Sequence, residues 1–502
     1  VTGVQRSGVF LGVTIVLALV LALAGVLFVK ALFYSAPSTS IEAVDRVDVP
    51  AGAASRLSEA IRIQTISALP DEAVRKARFQ AFQAFLEKAY PLVHAALTVE
   101  KLNEFGLLYA WKGKNPGLKP ILLLSHQDVV PVEEGTEADW TYPPFSGAIE
   151  EGFIWGRGAW DDKSTLLASL EALEKMLSEG RQPERTLMLA FGHDEEVGGR
   201  QGAGEIAKYL ENQGVQFEFV LDEGGVIGKG LVPGVAQPVA LIGTAEKGYL
   251  TLELSAEGPG GHSSMPPSIT AIGRLARAID RLQSKPFPAR LTEPVRGMLD
   301  SLGPHMPWQK RLVLANLWLF EPLVVSQMAA GHSTQAHVRT TTAPTILDAG
   351  VKENVLPQSA SATINFRLLP GETRESAIET VKRAIGDERV AVRETGQIGA
   401  EPSAVSSRES YGFKALLTAI RQTNGDVLVS PALLFGATDS RYYAGVTESI
   451  FRYTPIRIGK GDVKRIHGTN ERIAVPDYEN AIRFYYQLLL NTVINPEPSA
   501  DG

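Results

Sequence analysis

Three apolar runs in this chain break off at a histidine or a cluster of acids. Ile121-Leu122-Leu123-Leu124 leads into Ser125-His126-Gln127-Asp128. The run from Arg185 to Phe191 leads into Gly192-His193-Asp194-Glu195-Glu196, and Phe217 to Leu221 leads into Asp222-Glu223-Gly224-Gly225. A strand covered on both faces reads as a continuous apolar run, and α/β sheets bind ligands at the carboxyl ends of their strands. The pattern therefore constrains the chain to an α/β fold with polar groups gathered along one sheet edge.

The rest of the chain alternates in the same way. Leu57 to Ile63, Arg75 to Ala89 and Asp162 to Leu177 have helical spacing, while Gly106 to Trp111 and Pro120 to Leu124 read as strands. Near Ala245 the pattern changes. Gly248 to Ala256 and Ser359 to Leu368 alternate as half-exposed strands, joined by helices at Ile269 to Leu282 and Thr373 to Ile385 and a strand at Arg389 to Arg393. Helical spacing returns at Tyr411 to Thr423. The expected organisation is a larger domain in two parts, 51–246 and 398–495, interrupted by a small α+β domain over 247–397.

The amino-terminal run Ser7 to Val29 carries no charge between Arg6 and Lys30. As a helix it would be about 35 Å long, enough to cross a bilayer. It is longer than a usual signal-peptide core, and Ala31 to Ala36 offer no small-x-small cleavage site. The expectation is an uncleaved transmembrane signal anchor over 1–34, followed by a linker over 35–50. Arg6 precedes the span, while Glu42, Asp45 and Asp48 follow it. The positive-inside rule then puts the large domain on the extracytoplasmic side. The chain has no cysteine, which removes disulfides, thiolate ligands and a cysteine nucleophile. Its net charge of -7 and lack of basic runs give no reason to expect nucleic-acid binding.

The candidate metal ligands, in chain order, are His126, Asp161, Glu196, Asp222 and His467. Two histidines, one carboxylate able to bridge and two further carboxylates can hold a pair of zinc ions, and a free acid beside them, Glu195, can activate water. Cobalt or manganese suits the same donors. Asp128 lies two residues from His126, on the same side of an extended chain, where it can hold the imidazole ring. Asp161, in Gly156-Arg157-Gly158-Ala159-Trp160-Asp161-Asp162-Lys163, precedes a helix, so a capping role competes with a ligand role. Asp222 and Glu223 follow the same strand, and Asp222 is the one assigned here. His94, His193, His305, His332 and His337 are read as structural.

Together with Gly260-Gly261-His262-Ser263-Ser264 and His467-Gly468-Thr469-Asn470-Glu471, these segments resemble the zinc aminoacylase and carboxypeptidase family, metallopeptidase family M-twenty. They are most similar to its carboxypeptidase S branch, which includes enzymes that make and cleave N-fatty-acyl amino acids. The resemblance spans about residues 50–490. It implies a two-zinc exopeptidase-type domain with an inserted lid, through which two subunits often pair. It implies that His126, Asp161 and Asp222 hold one zinc and that Asp161, Glu196 and His467 hold the other. Glu195 would be the general base, with Asp128 orienting His126. His262, reaching in from the lid, would stabilise the oxyanion. Asn354 and Arg367 would hold the substrate, although Arg367 also reads as a surface strand residue. Asp162 and Ser164 depart from the usual apolar residue and glycine, and Asp162 is placed to cap the following helix. The implied reaction is cleavage of the amide bond of dipeptides, peptides or N-acyl amino acids with a free carboxylate. The same site could run as an N-fatty-acyl amino acid synthase/hydrolase. A non-catalytic peptide-binding protein on this fold would be expected to lack a ligand or the base.

Overall fold

The apolar runs form the centre of a ten-stranded mixed sheet. The computed structural model describes residues 2–35, 41, 44–425 and 427–496. The strand Ile121–His126 is buried along its whole length. It lies between Leu187–Gly192 and Phe219–Asp222, parallel to both, so three strand ends meet at one edge. Gly106–Trp111 continues the sheet on one side, antiparallel to Leu187–Gly192. On the other side Ile450–Arg452 joins it to Val239–Glu246, which also pairs with Leu428–Leu434.

Both faces are covered. Leu123, Leu189 and Leu221 pack under the helices Lys163–Ser178 and Val475–Leu489. Leu122, Leu124 and Val220 pack under the helix Ala203–Asn212. Successive strand residues thus alternate between two cores, the period-2 rule at work inside an unbroken apolar run.

A second sheet begins at Gly248. Its antiparallel order is Thr341–Ala349, Ser359–Leu368, Gly248–Glu257, Val390–Ala400. Leu250, Leu252 and Leu254 face the helices Ala271–Ser284 and Arg374–Ile385, forming a core separate from that of the large sheet. The last strand is longer than the expected Arg389 to Arg393.

Between the two sheet segments lie four helices where the alternation indicated none: Glu293–Leu302, Trp308–Leu314, Leu317–Ala330 and Gln335–Val338. They pack against Ala245 and Leu433 of the large sheet and against Tyr34. Leu317–Ala330 is apolar nearly all round and carries Pro322 inside it, so it has no polar face from which a 3.6-residue period could be read.

The amino-terminal helix runs from Thr2 to Leu32, and its part Phe10–Leu32 is long and apolar enough to cross a membrane. The expected linker over 35–50 falls partly outside the described residues, as does Glu42 of the charges used for orientation.

Candidate metal centre

Asp161 is where two groups of ligand atoms meet. His126, Asp161 and Glu223 form one, and Asp161, Glu196 and His467 form the other, with the atoms of each group within 4.8 Å of one another. His126 Nε2 lies 3.0 Å from Asp161 Oδ1 and 3.4 Å from Glu223 Oε1. His467 Nε2 lies 3.0 Å from Asp161 Oδ2 and 3.4 Å from Glu196 Oε2. The two oxygens of one carboxylate thus face two different imidazoles.

Asp222, assigned from the sequence, does not join either group. Its Oδ2 accepts the Ser440 backbone N–H at 2.8 Å and its Oδ1 accepts that of Glu223 at 2.9 Å. The reason is that Asp222, the buried last residue of Phe219–Asp222, is held by those two backbone donors. Glu223 is the first residue beyond the strand, and its longer side chain reaches His126.

Asp128 does two things at once. Its Oδ1 is 3.2 Å from His126 Nδ1, and its own backbone carbonyl is 3.0 Å from the same atom. Its carboxylate also accepts the backbone N–H groups of Glu195 (3.2 Å) and Glu196 (3.1 Å), and the Ser67 hydroxyl at 2.6 Å. One buried acid therefore sets both the imidazole and the acidic turn.

Glu471 plays the same part for Asp161. Its Oε1 accepts the backbone N–H groups of Gly158 (2.9 Å), Trp160 (2.9 Å) and Asp161 (3.2 Å). Arg157 pairs with its other oxygen at 2.6 Å and donates to the His467 carbonyl at 3.1 Å. His467 itself sits at φ 55°, a left-handed conformation uncommon for a residue with a Cβ. The Arg157–Glu471 pair holds that turn against the Asp161 loop. Asp162 takes the cap position of Lys163–Ser178 without capping it. Its Oδ2 instead faces the His126 backbone N–H at 3.4 Å, and burial pushes its carboxyl up to about 8.

The electrostatics call for cations. Burial, and then the charges of Asp161 and Asp162, raise the Glu223 carboxyl well above its ordinary value. Burial and Asp439 do the same to Glu195. The His467 imidazole is pushed up to about 10, first by its hydrogen bond to Asp161 and then by that to Glu196. Glu196 Oε1 is buried with no hydrogen-bond partner. Crowded carboxylates, two imidazoles and an orphaned acceptor fit a divalent ion in each group.

Other expected residues lie outside these groups. His262 is exposed on a short ladder in which Gly261–His262 pairs with Val355–Leu356. Its Nδ1 accepts the Ser264 N–H at 3.1 Å, which leaves the proton of a neutral ring on Nε2. Asn354 adjoins the same ladder, and its carbonyl accepts the Ser263 N–H at 3.2 Å. Arg367 stacks over Tyr249, 4.4 Å from the ring centroid, and donates to the Phe435 carbonyl at 3.3 Å.

One acid near the site went unnoticed in the sequence. Asp439 is buried, and neither of its oxygens has a hydrogen-bond partner. It presses so closely on Gly199, at φ 66°, that a Cβ there would meet Asp439 Oδ1 at 1.9 Å. The signal was available, since Gly436-Ala437-Thr438-Asp439 follows the apolar strand Leu428–Leu434 just as the other acids follow theirs.

Comparison with known proteins gives the family and the fold. Residues 122–491 match the sequence profile of Peptidase family M20/M25/M40. A probable carboxypeptidase S-like 2 of Dictyostelium discoideum is 42% identical over 443 residues, covering 88% of this chain and 85% of that one. An N-fatty-acyl-amino acid synthase/hydrolase of Xenopus tropicalis is 40% identical over 451 residues, covering 89% and 87%. The crystal structure of an M20 family metallo-carboxypeptidase from Sulfolobus solfataricus shares the fold, with a TM-score of 0.62 at 21% identity over 87% of this chain and 98% of that one. The chain belongs to Peptidase family M20/M25/M40 and is a hydrolytic enzyme of the metallopeptidase type.

Proposed function

We propose that this chain is a two-metal amide hydrolase, held to a membrane by its amino-terminal helix, that cleaves dipeptides, peptides or N-acyl amino acids bearing a free carboxylate. The observation that carries the reading is Asp161, shared by two ligand groups, one of which contains Glu196, the chain neighbour of Glu195. His126, Asp161 and Glu223 would hold one ion, and Asp161, Glu196 and His467 the other. Two bound ions would acidify a water molecule and polarise the amide carbonyl. Zinc suits the donors, and cobalt or manganese could replace it.

The protein's own groups do the rest. Glu195, its carboxyl held high by burial and Asp439, would take the proton of the attacking water and return it to the leaving amine. His262, with its proton on Nε2, can donate to the carbonyl oxygen as negative charge develops there. Its ladder belongs to the second sheet region, so that region would act as a lid whose closure completes the site. Asn354 sits beside His262 on this lid. Arg367 offers a guanidinium to the substrate carboxylate where the second sheet meets the Phe435 loop. The edge strand Thr341–Ala349 exposes Ile346 and Leu347, where a second copy of the chain could pair. The catalytic domain would lie on the extracytoplasmic side.

A second reading has specific support. The relative from Xenopus tropicalis is named for N-fatty-acyl amino acids, and a membrane-anchored enzyme meets lipid-derived acyl groups. The test is a panel of dipeptides and N-fatty-acyl amino acids, assayed with the full chain after chelation and after added zinc. Hydrolysis should vanish on chelation, return with zinc and be absent in Glu195→Ala. Preference between the two substrate classes separates the readings. A chain that binds no metal would overturn both.

A further inference from the structure

The carboxyl end of the amino-terminal helix does not stand free. Asn316 Nδ2 donates to the Leu27 carbonyl at 3.0 Å, and Arg311 Nη2 to the carbonyls of Leu32 (3.0 Å) and Tyr34 (2.8 Å). Phe28 meets Trp308 edge-on at 5.3 Å, and Lys30 Nζ lies 5.5 Å from the centre of the Trp318 ring. These partners belong to the helix pair Trp308–Leu314 and Leu317–Ala330, which bends by 115°. The outward side of Leu317–Ala330 is mostly apolar, while Trp308–Leu314 exposes Trp308 beside Gln309 and Lys310. Trp318 is 59% exposed, Leu323 48%, Trp308 40% and Leu319 39%. Leu319 and Leu323 are four residues apart and so share one face. The one charged residue of Leu317–Ala330, Glu321, is paired with Arg296 at 2.5 Å. An open groove of about 850 Å³ beside the helix runs from Trp318 and Pro322 to Arg290 and Arg339.

We propose that this helical hairpin lies in the headgroup layer of the bilayer crossed by the amino-terminal helix, forming a second, monotopic membrane contact. The inference rests on the reading of that helix as an anchor. If Phe10–Leu32 spans the bilayer, the headgroup layer lies at the level of its last turn, and whatever touches Lys30 and Leu32 lies there too. Exposed tryptophans beside an uncharged apolar stripe suit that layer, where an indole keeps its ring in hydrocarbon and its N–H near water. Lys30 puts positive charge at that level, facing lipid phosphates, and the groove beside Trp318 is lined by Arg339 and by Arg290, which is paired with Glu372. The occupant is a bilayer because the chain's own span ends against this surface. The hairpin continues directly into Gln335–Val338, where His337 packs edge-on against Phe435 at 4.7 Å. Phe435 is the residue whose carbonyl receives Arg367. Membrane contact would therefore fix the protein with the Arg367 side of the site tied to the lipid surface.

The chain has no cysteine, so single cysteines report cleanly. Leu323→Cys, Leu19→Cys and Glu134→Cys would be made in the full chain, spin-labelled, checked for a cooperative melt matching the unlabelled protein, and placed in phosphatidylcholine–phosphatidylserine nanodiscs. Collision rates with oxygen, which partitions into lipid, and with a nickel complex, which stays in water, would then be compared. The expected result is an oxygen-to-nickel ratio several-fold higher at 323 than at 134, and higher again at 19. A label at 323 that behaves like that at 134, while 19 is in lipid, overturns the hairpin contact and leaves the anchor standing. Labels in water at both 19 and 323 overturn the anchor and the contact with it. A label at 323 shielded from both reagents, with spin–spin broadening, means that a second copy covers the face and also overturns the proposal.

Discussion

Two adjacent acids, Asp222 and Glu223, show how much one residue of register matters. Asp222 satisfies two backbone N–H groups, whereas Glu223 faces His126. Glu223→Gln should lower bound metal from two toward one ion per chain, measured by elemental analysis of the purified protein. Asp222→Asn should leave metal content unchanged and cost about 1–3 kcal/mol of stability, because a buried acceptor is weakened opposite donors that cannot turn elsewhere. The opposite pattern would return the ligand role to Asp222. Strand parity could not have told the two apart, because His126 has the parity of Leu122 and Leu124, which pack on the same face as Val220 and so as Asp222. What separates them is the Ser440 backbone N–H that holds Asp222.

At the scale of elements, what matters is how loops distant in sequence are tied. The Arg157–Glu471 pair is buried at both ends, and it links the Asp161 loop to the His467 turn. Arg157→Leu would leave the Glu471 charge buried without its cation. That should cost about 3–5 kcal/mol, read as a lower denaturant midpoint. Lys247 stands where the large sheet passes into the second one. Its Nζ donates to the carbonyls of Ala336 (3.0 Å) and Arg339 (2.8 Å). Burial first, and then Arg367, lower its pKa from 10.5 to about 7. The folded chain therefore gives up this proton near pH 7, while the unfolded chain holds it to about 10.5. Between those values the unfolded state binds more protons, so stability rises with pH, by at most about 1.4 kcal/mol per unit. Lys247→Met should flatten the rise in unfolding free energy between pH 7.5 and pH 9.5. The helices and strands themselves were largely readable from the sequence, because each has its own period. Leu317–Ala330 was not, because it turns apolar residues both to the protein and outward.

For the whole molecule, a folded protein whose two ligand groups draw from five separated segments should gain stability from its ions, since the unfolded chain does not assemble them. At a metal concentration a hundred times the dissociation constant the gain is about 2.7 kcal/mol. Chelation should therefore lower Tm by several degrees, and zinc should restore it. A Tm indifferent to chelation, with metal shown to have left, would mean that the groups do not hold ions in the folded state. The sequence alone determined the α/β class, the strand ends that carry His126, Glu195 and Glu196, the apolar amino-terminal helix and the family. Each of these is written in a local pattern of hydrophobicity or a short run of residues. Only the tertiary structure decided that Glu223 rather than Asp222 meets His126, that Glu471 organises the Asp161 loop and that Asp439 lies buried near Glu195. It alone showed that Trp318 stands beside Lys30. Those contacts join residues brought together by chain closure and sheet order, which no local period encodes.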